Sequence, residues 1–286
     1  MENYNGELDA LFEEWINSYP QEENAKNRFC KDGLLFKFKD APGYDINWEW
    51  AKAERRVMFL LKDCPDGWGY DVRGLLISGP NAGKTRDLKS PRATGKGGTG
   101  FFKNMGLLLH GLYTLTEENK GEDEIKVCNS RTKQALVETF NNVPFAIVES
   151  KKLAGSSACP PDVLKDALEV DGKFLAKEIR ILKPNIMVCC DYSGTVFETV
   201  VRCCFDGIVP DSNHKWEYQY PDSDFKCKLY YYESQGVLLF NSYHLTSRGK
   251  ESWKIYEAVM HPFRQFFARY KSFSVVDKNS INKNTK

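Results

Sequence analysis

The sequence lacks long apolar runs and a strong charge of either sign. Its longest apolar runs, such as VMFLL at 57–61, have about five residues, whereas a membrane-spanning helix needs about 20. The first residues, MENYNGELDALFEEW, are acidic and show no basic start followed by an apolar stretch. We therefore expect neither a membrane span nor a signal peptide. The net charge is +1, which excludes a global electrostatic attraction to nucleic acid.

Metal-binding patterns are also missing. The nine cysteines contain no C-x-x-C spacing, and the four histidines form no H-x-x-x-H pair. We therefore expect no zinc site, no iron–sulfur cluster and no other cofactor. Nine cysteines without a signal peptide are typical of a reducing compartment, which predicts a cytoplasmic protein whose cysteines are mostly small buried side chains.

What the sequence does contain is the pattern of an α/β protein. Hydrophobic residues make up 42 % of the 286 residues, which is enough for a sizeable core. Short apolar runs predict buried strands at 56–63, 144–150, 185–191 and 236–244. Helical periodicity predicts helices at 6–18, 101–115, 130–140, 162–183, 193–203 and 250–270. This alternation favours a three-layer α/β/α sandwich around a four-stranded, mostly parallel sheet.

We interpret residues 1–270 as a single domain with an N-terminal helical extension at 1–50. Within that extension, a loop is predicted from Pro20 to about residue 48. The polar and aromatic segment 211–232 is predicted to form an antiparallel hairpin, and 271–286 to form a polar tail. We expect the protein to be a monomer.

Polar residues follow the predicted strands, and two of them carry possible chemistry. Asp63 ends the first strand, and His244 ends the fourth. Ligands of parallel sheets bind beyond the carboxyl ends of the strands, so we expect these two residues at one edge. A carboxylate and an imidazole in one pocket can perform acid–base or electrostatic work. The alternative is that His244 is an ordinary surface or structural histidine.

A glycine-rich basic segment separates the first strand from the next helix. Residues 72–103 carry seven Lys and Arg residues against one acid, Asp87, and could meet phosphates or simply be a solvated loop. SGPNAGKT at 78–85 is close to a P-loop, but Ser78 stands where the first glycine is required. A P-loop nucleotide hydrolase is therefore our third hypothesis for function.

Four segments, in this order, resemble motifs of one known family: FLLKDCPDG (59–67), GTGFFKNMGLLL (98–109), FAIVESKKLAG (145–155) and NSYHLTSR (241–248). The family is the uracil-DNA glycosylase superfamily, and in particular its branch whose members often carry an iron–sulfur cluster. The resemblance covers residues 55–265. It implies a uracil-DNA glycosylase-like fold and hydrolysis of the N-glycosidic bond of uracil or another damaged or deaminated base in DNA, as in base excision repair.

The resemblance also implies roles for individual residues. Asp63 and His244 fall on the catalytic acid and the catalytic histidine. In the implied base pocket, Phe101, or Phe102 as the near alternative, stacks on a flipped base, and Glu149 reads the edge of that base. Cys64 and Pro65, which follow Asp63, complete the pocket. The basic residues implied to contact phosphates are Lys84, Arg86, Lys151 and Lys152. The residue implied to enter the duplex is Leu245 or Arg248.

The chain departs from the family pattern in several places. Glu149 stands where the family has an asparagine, and a carboxylate only accepts hydrogen bonds unless it is protonated. Leu245 replaces a proline, and Leu153 replaces a cluster cysteine, so no iron–sulfur cluster is expected. These departures keep a second hypothesis open, namely a non-catalytic module of the same fold that binds nucleic acid or a nucleotide.

Overall fold

The computed structural model describes residues 2–19, 25–35, 45–65, 71–74, 99–115, 135–136, 139–140, 142–155, 159–191, 193–246 and 252–270. Its strands are β1 (Gly33–Leu34), β2 (Val57–Pro65), β3 (Phe145–Gly155), β4 (Ile186–Cys190), β5 (Lys215–Gln219), β6 (Lys226–Tyr232) and β7 (Val237–Ser242). Its helices include α1 (Tyr4–Asn17), α2 (Ala25–Arg28), α3 (Ile46–Lys52), α4 (Thr99–Thr114), α5 (Pro161–Leu182), α6 (Thr195–Cys204) and α7 (Ser252–Arg269).

The strands form one sheet in the order β1-β3-β2-β4-β7-β6-β5. The four central strands β3, β2, β4 and β7 are mutually parallel, and they are the four strands that the apolar runs predict. The predicted number of four strands is nevertheless too low, because the sheet has seven. The missing strands are β1, which pairs antiparallel with β3, and the antiparallel pair β5 and β6, which extends the sheet beyond β7.

Both faces of the sheet are covered by helices, which confirms the three layers. Alternate residues of β2 point to opposite sides, so Phe59 packs with α4 and α7, whereas Leu60 packs with α1, α5 and α6. We call the first side the α4/α7 face and the second the α1/α5/α6 face. Since both faces are apolar, the central strands read as continuous apolar runs.

The N-terminal segment contains more structure than the sequence predicts. Instead of one loop up to residue 48, it holds α2, β1 and the start of α3. Helix α3 begins after Asp45, whose side chain accepts a hydrogen bond from the backbone N–H of Asn47. Its Trp50 is fully buried and donates from Nε1 to the carbonyl oxygen of Leu182 at 2.7 Å. The extension is therefore part of the core.

The hairpin predicted at 211–232 is confirmed. Strands β5 and β6 pair antiparallel, with Trp216 opposite Leu229. None of the helices among the described residues is long and apolar enough to cross a membrane.

Candidate functional site

The site lies where the carboxyl ends of four parallel strands meet. Strands β3, β2, β4 and β7 are neighbours in that order, so the residues near their carboxyl ends share one edge of the sheet. These residues include Lys151 and Asp63, in the last parts of β3 and β2, and Asp191 and His244, which follow β4 and β7. The expected convergence therefore extends to the third predicted strand, because β4 lies between β2 and β7.

Strand register puts Asp63 and Glu149 on the same face of the sheet. Leu61 packs on the α4/α7 face, and Asp63, two residues later, follows it on that side. Across the β2–β3 ladder, Leu61 lies opposite Glu149 and Asp63 lies opposite Lys151. Glu149 and Lys151 therefore belong to the α4/α7 face, which is also the face that carries Phe101.

His244 is half-buried at this edge and has a defined hydrogen-bonding state. Its Nδ1 accepts a hydrogen bond from the backbone N–H of Thr246 at 3.2 Å and lies 2.6 Å from the Thr246 hydroxyl. Burial lowers the pKa of His244 to about 4, and Lys62 adds to this effect while Asp191 opposes it. The imidazole is therefore neutral at pH 7, with Nδ1 as acceptor and the proton on Nε2.

Phe101 is the aromatic residue that faces His244. Their ring centroids are 6.4 Å apart, and the ring planes are inclined by 36°. Phe102 packs edge-on against Phe101 at 5.2 Å, and both rings belong to the core of the α4/α7 face, with 2 % of Phe101 and 1 % of Phe102 exposed. The helix that carries both rings is attached to the histidine loop, because Asn104 Nδ2 donates to the carbonyl oxygen of Leu245 at 2.8 Å. Asn104 thereby holds the aromatic and imidazole groups together.

Asp63 is paired with a cation. Its Oδ2 lies 3.9 Å from Nζ of Lys151, and the two side chains are 9 % and 14 % exposed. Lys151 also donates to the carbonyl oxygen of Leu153. Gly155 leaves room for this arrangement, because a Cβ there would lie 2.8 Å from Asp63 Oδ2. The structure thus directs Lys151 toward the acid, which differs from the predicted phosphate contact.

Glu149 is a buried acid beside this pair. Only 2 % of its surface is exposed, and its Oε2 has no hydrogen-bond partner within the described ranges. Burial raises the pKa of Glu149 well above its usual value, and the nearby Cys64, Asp32 and Asp63 add to this effect. Burial without a hydrogen-bond partner for Oε2 thus favours the neutral form of this carboxyl group.

Two predicted DNA contacts need correction. Lys152 has a fully buried side chain that pairs with Asp32 at 2.6 Å and Glu178 at 2.8 Å. It faces α5, opposite to Lys151, and cannot reach a phosphate. Leu245 has no exposed surface and packs in the core of the α4/α7 face, so it is not available as a wedge that enters a duplex.

The remaining predicted residues have less structural information. Cys64 is fully buried, packs with Cys30 and Val72, and shares a hydrogen bond with the Cys30 thiol. Pro65 ends β2, and nothing is described of its side chain. The other predicted DNA contacts, Lys84, Arg86 and Arg248, lie outside the described residues.

Sequence reasoning misses three residues that organise the site. Asp32 accepts a hydrogen bond from the backbone N–H of Glu149 at 2.6 Å, although 117 positions separate the two residues. Asn104 lies three residues after Phe101 and four before Leu108, where helical spacing predicts an apolar side chain, and this contrast is a usable signal. Thr246 lies two residues after His244, at the spacing of a local turn contact. No comparable local signal points to Asp32.

Comparison with known proteins does not assign a function to the site. No family model matches the chain, and no curated protein matches it significantly. The described residues contain no group of three or more His, Cys, Asp and Glu side chains that could hold a metal ion. The geometry at the carboxyl edge of the sheet is therefore the main indication of function.

Proposed function

We propose that this protein hydrolyses the N-glycosidic bond of a damaged or deaminated base in DNA. The observation that carries the proposal is that Asp63, Phe101 and His244 lie on one face of one sheet edge, although they are far apart in the chain. An acid, an aromatic ring and a neutral imidazole are the groups that this reaction needs. The resemblance of four segments to uracil-DNA glycosylases points the same way.

The reaction separates charge, and each group has a part in it. The C–N bond breaks with its electron pair going to the base, which leaves positive charge on the sugar. His244 would donate a hydrogen bond from Nε2–H to the departing base, because its Nδ1 already accepts a hydrogen bond from Thr246. Asp63 would stabilise the cationic sugar and orient the water whose oxygen adds to it. One proton of that water stays on the new sugar hydroxyl, and the other neutralises the departed base.

Base recognition requires the target nucleotide to leave the stack. Phe101 would supply a stacking surface, worth about 1–3 kcal/mol per base, once substrate binding uncovers its ring, which is 2 % exposed in the free protein. Its position beside His244 would bring the base close to the hydrogen-bond donor Nε2–H. Since Lys152 is buried, the phosphate contacts would come from other basic residues, for which Lys84 and Arg86 remain the candidates. Arg248 remains the candidate to enter the duplex.

A non-catalytic binding module is the second candidate. The observation that favours it is the pairing of Asp63 with Lys151, since this cation partly neutralises the acid that the chemistry needs. Such a module would bind a flipped base or a nucleotide in the same pocket and release it unchanged.

An excision assay tests the proposal. Duplex and single-stranded oligonucleotides carrying uracil, hypoxanthine, xanthine or hydroxymethyluracil are incubated with the protein, and abasic sites are counted. We expect release of at least one base, and its loss when Asp63→Asn and His244→Gln are combined. Binding without release of any base would favour the module. Nucleotide hydrolysis lost on Lys84→Ala would favour the P-loop hypothesis instead.

A further inference from the structure

The strongest unexplained feature of the site is the side chain of Glu149. It is 2 % exposed, it stands on the face that carries Phe101, and its Oε2 has no hydrogen-bond partner among the residues described. An unpaired buried oxygen costs about 1–3 kcal/mol, so its retention at a ligand-binding edge calls for an explanation. A ligand that forms a hydrogen bond with this oxygen would provide one.

The groups around Glu149 decide its charge. They come from every element packed against it and are mostly acids and thiols: Asp63 and Cys64 of β2, Cys30 and Asp32 before β1, Lys152 of β3, and Cys190 of β4. Two cations lie near Glu149, and both are already paired: Lys152 with Asp32 and Glu178 on the opposite face, and Lys151 with Asp63 on the same face. Negative charge on Glu149 would therefore be buried without a cation of its own.

From this geometry, and resting on the function proposed above, we propose that Glu149 reads the base edge as a neutral carboxylic acid and accepts either order of donor and acceptor. A carboxylic acid offers one O–H donor and one acceptor oxygen, as an amide offers N–H and C=O. In a carboxylic acid, however, either oxygen can carry the proton, so the order reverses without movement of the side chain.

The consequence concerns the class of substrate. Uracil and hypoxanthine present a ring N–H donor next to a carbonyl acceptor, whereas cytosine and adenine present an amino donor next to a ring nitrogen acceptor. Glu149 in its neutral form matches both edges. When it is ionised, its two acceptor oxygens repel the carbonyl oxygen of uracil and, in the same way, the ring nitrogen of cytosine. The site would therefore bind uracil and cytosine with similar strength at low pH and lose both as the acid ionises.

Glu149→Gln provides the test, because glutamine has the same shape and keeps its order of donor and acceptor at every pH. Glu169→Gln, on the exposed side of α5, is the matched control. Binding of single-stranded oligonucleotides containing one uracil or one cytosine is measured against pH, alongside uracil excision. In the wild type we expect uracil binding and excision to fall about tenfold per pH unit above the titration midpoint. Glu149→Gln should show no such fall, and Glu169→Gln should behave as the wild type.

A spectroscopic measurement keeps this inference separate from the proposed function. The infrared spectrum of the free protein at pH 7, with isotope-labelled glutamate, should contain the carbonyl band of a protonated acid that is absent from Glu149→Gln. A missing band, or identical pH profiles for uracil in the wild type and in Glu149→Gln, overturns the inference. If the band is present and uracil binding follows the expected profile but no base is released, the inference stands and the proposed hydrolysis fails.

Discussion

The backbone N–H of Thr246 donates a hydrogen bond to Nδ1 of His244 over 3.2 Å, which leaves Nε2 as the proton-bearing nitrogen of the neutral ring. This contact gives the imidazole a direction as well as a charge state. Protonation of Nδ1 would place a second donor opposite the Thr246 N–H and turn Nδ1 into a donor to the Thr246 hydroxyl, 2.6 Å away.

We therefore expect excision to persist on acidification until the pH approaches 4. The pKa of His244 is lowered to about 4 by burial and by Lys62, well below the usual value of about 6.5. An unperturbed catalytic histidine would instead lose its neutral form near pH 6. The measurement is the single-turnover rate of excision between pH 4 and 8. A fall centred near pH 6.5 would contradict the assigned state.

The same shift makes a prediction for stability. Because the folded-state pKa is lowered, the contribution of His244 is present above pH 6.5 and is lost as the pH falls towards 4, by at most about 3 kcal/mol. Comparison of the unfolding free energies of the wild type and His244→Gln in urea at several pH values isolates it. His214→Gln should show the opposite slope, because hydrogen bonds to Asp211 and Glu233 raise the pKa of His214.

Replacement of Asp63 by asparagine should lower excision by about 10²–10³-fold, because the amide cannot stabilise positive charge on the sugar. Oligonucleotide binding should change far less, since asparagine has nearly the same size and shape as aspartate. Asp222→Asn is the matched control: Asp222 is exposed and has a φ of 53°, a conformation that asparagine also tolerates. Equal excision by the wild type and Asp63→Asn would remove Asp63 from the mechanism.

Asn104→Ala should loosen the attachment between α4 and the histidine loop. The lost hydrogen bond leaves the buried carbonyl of Leu245 unpaired, which costs about 1–3 kcal/mol. Because His244 then becomes more solvated, the acid limb of the excision profile should move to higher pH. A purely structural role for Asn104 would lower the unfolding free energy without that movement. Asn17→Ala, at the exposed end of α1, should change the unfolding free energy by less than about 0.5 kcal/mol. It should leave the acid limb of the excision profile unchanged.

The central fold could be predicted because burial on both faces leaves a direct mark on the sequence. Strand β4, IMVCC, is fully buried and reads as one apolar run. Strand β1 has two residues and exists through its pairing with Ile147 and Ala146 of β3, so no local pattern could reveal it. Helix α3 has seven residues, which is too short for helical periodicity to be distinguished from a loop.

The site could be predicted only as far as strand ends reveal it. Asp63 and His244 follow apolar runs, and their shared edge follows from parallel pairing. The states of Glu149 and Lys152 depend on Asp32, a residue more than 100 positions away that has no local signal. Adjacent lysines also look alike in a sequence, although strand alternation turns Lys151 toward Asp63 and Lys152 into the core.

The burial of Lys152 leads to the last prediction. Its ammonium group lies 2.6 Å from both oxygens of Asp32 and 2.8 Å from Glu178, and it stands 5.3 Å from the ring centroids of Phe12 and Trp15. Lys152→Met leaves two buried carboxyl groups without their cation. We expect a loss of about 3–5 kcal/mol in unfolding free energy, measured by urea denaturation at pH 7.

A matched control and a rescue separate this role from DNA binding. Lys177 pairs with Glu14 at 2.7 Å on the surface, so Lys177→Met should cost less than about 1 kcal/mol. Adding Asp32→Asn and Glu178→Gln to Lys152→Met should restore part of the lost stability, because no uncompensated charge then remains in the core. If Lys152→Met instead weakened oligonucleotide binding and its salt dependence at unchanged stability, Lys152 would contact phosphate and the buried arrangement would be wrong.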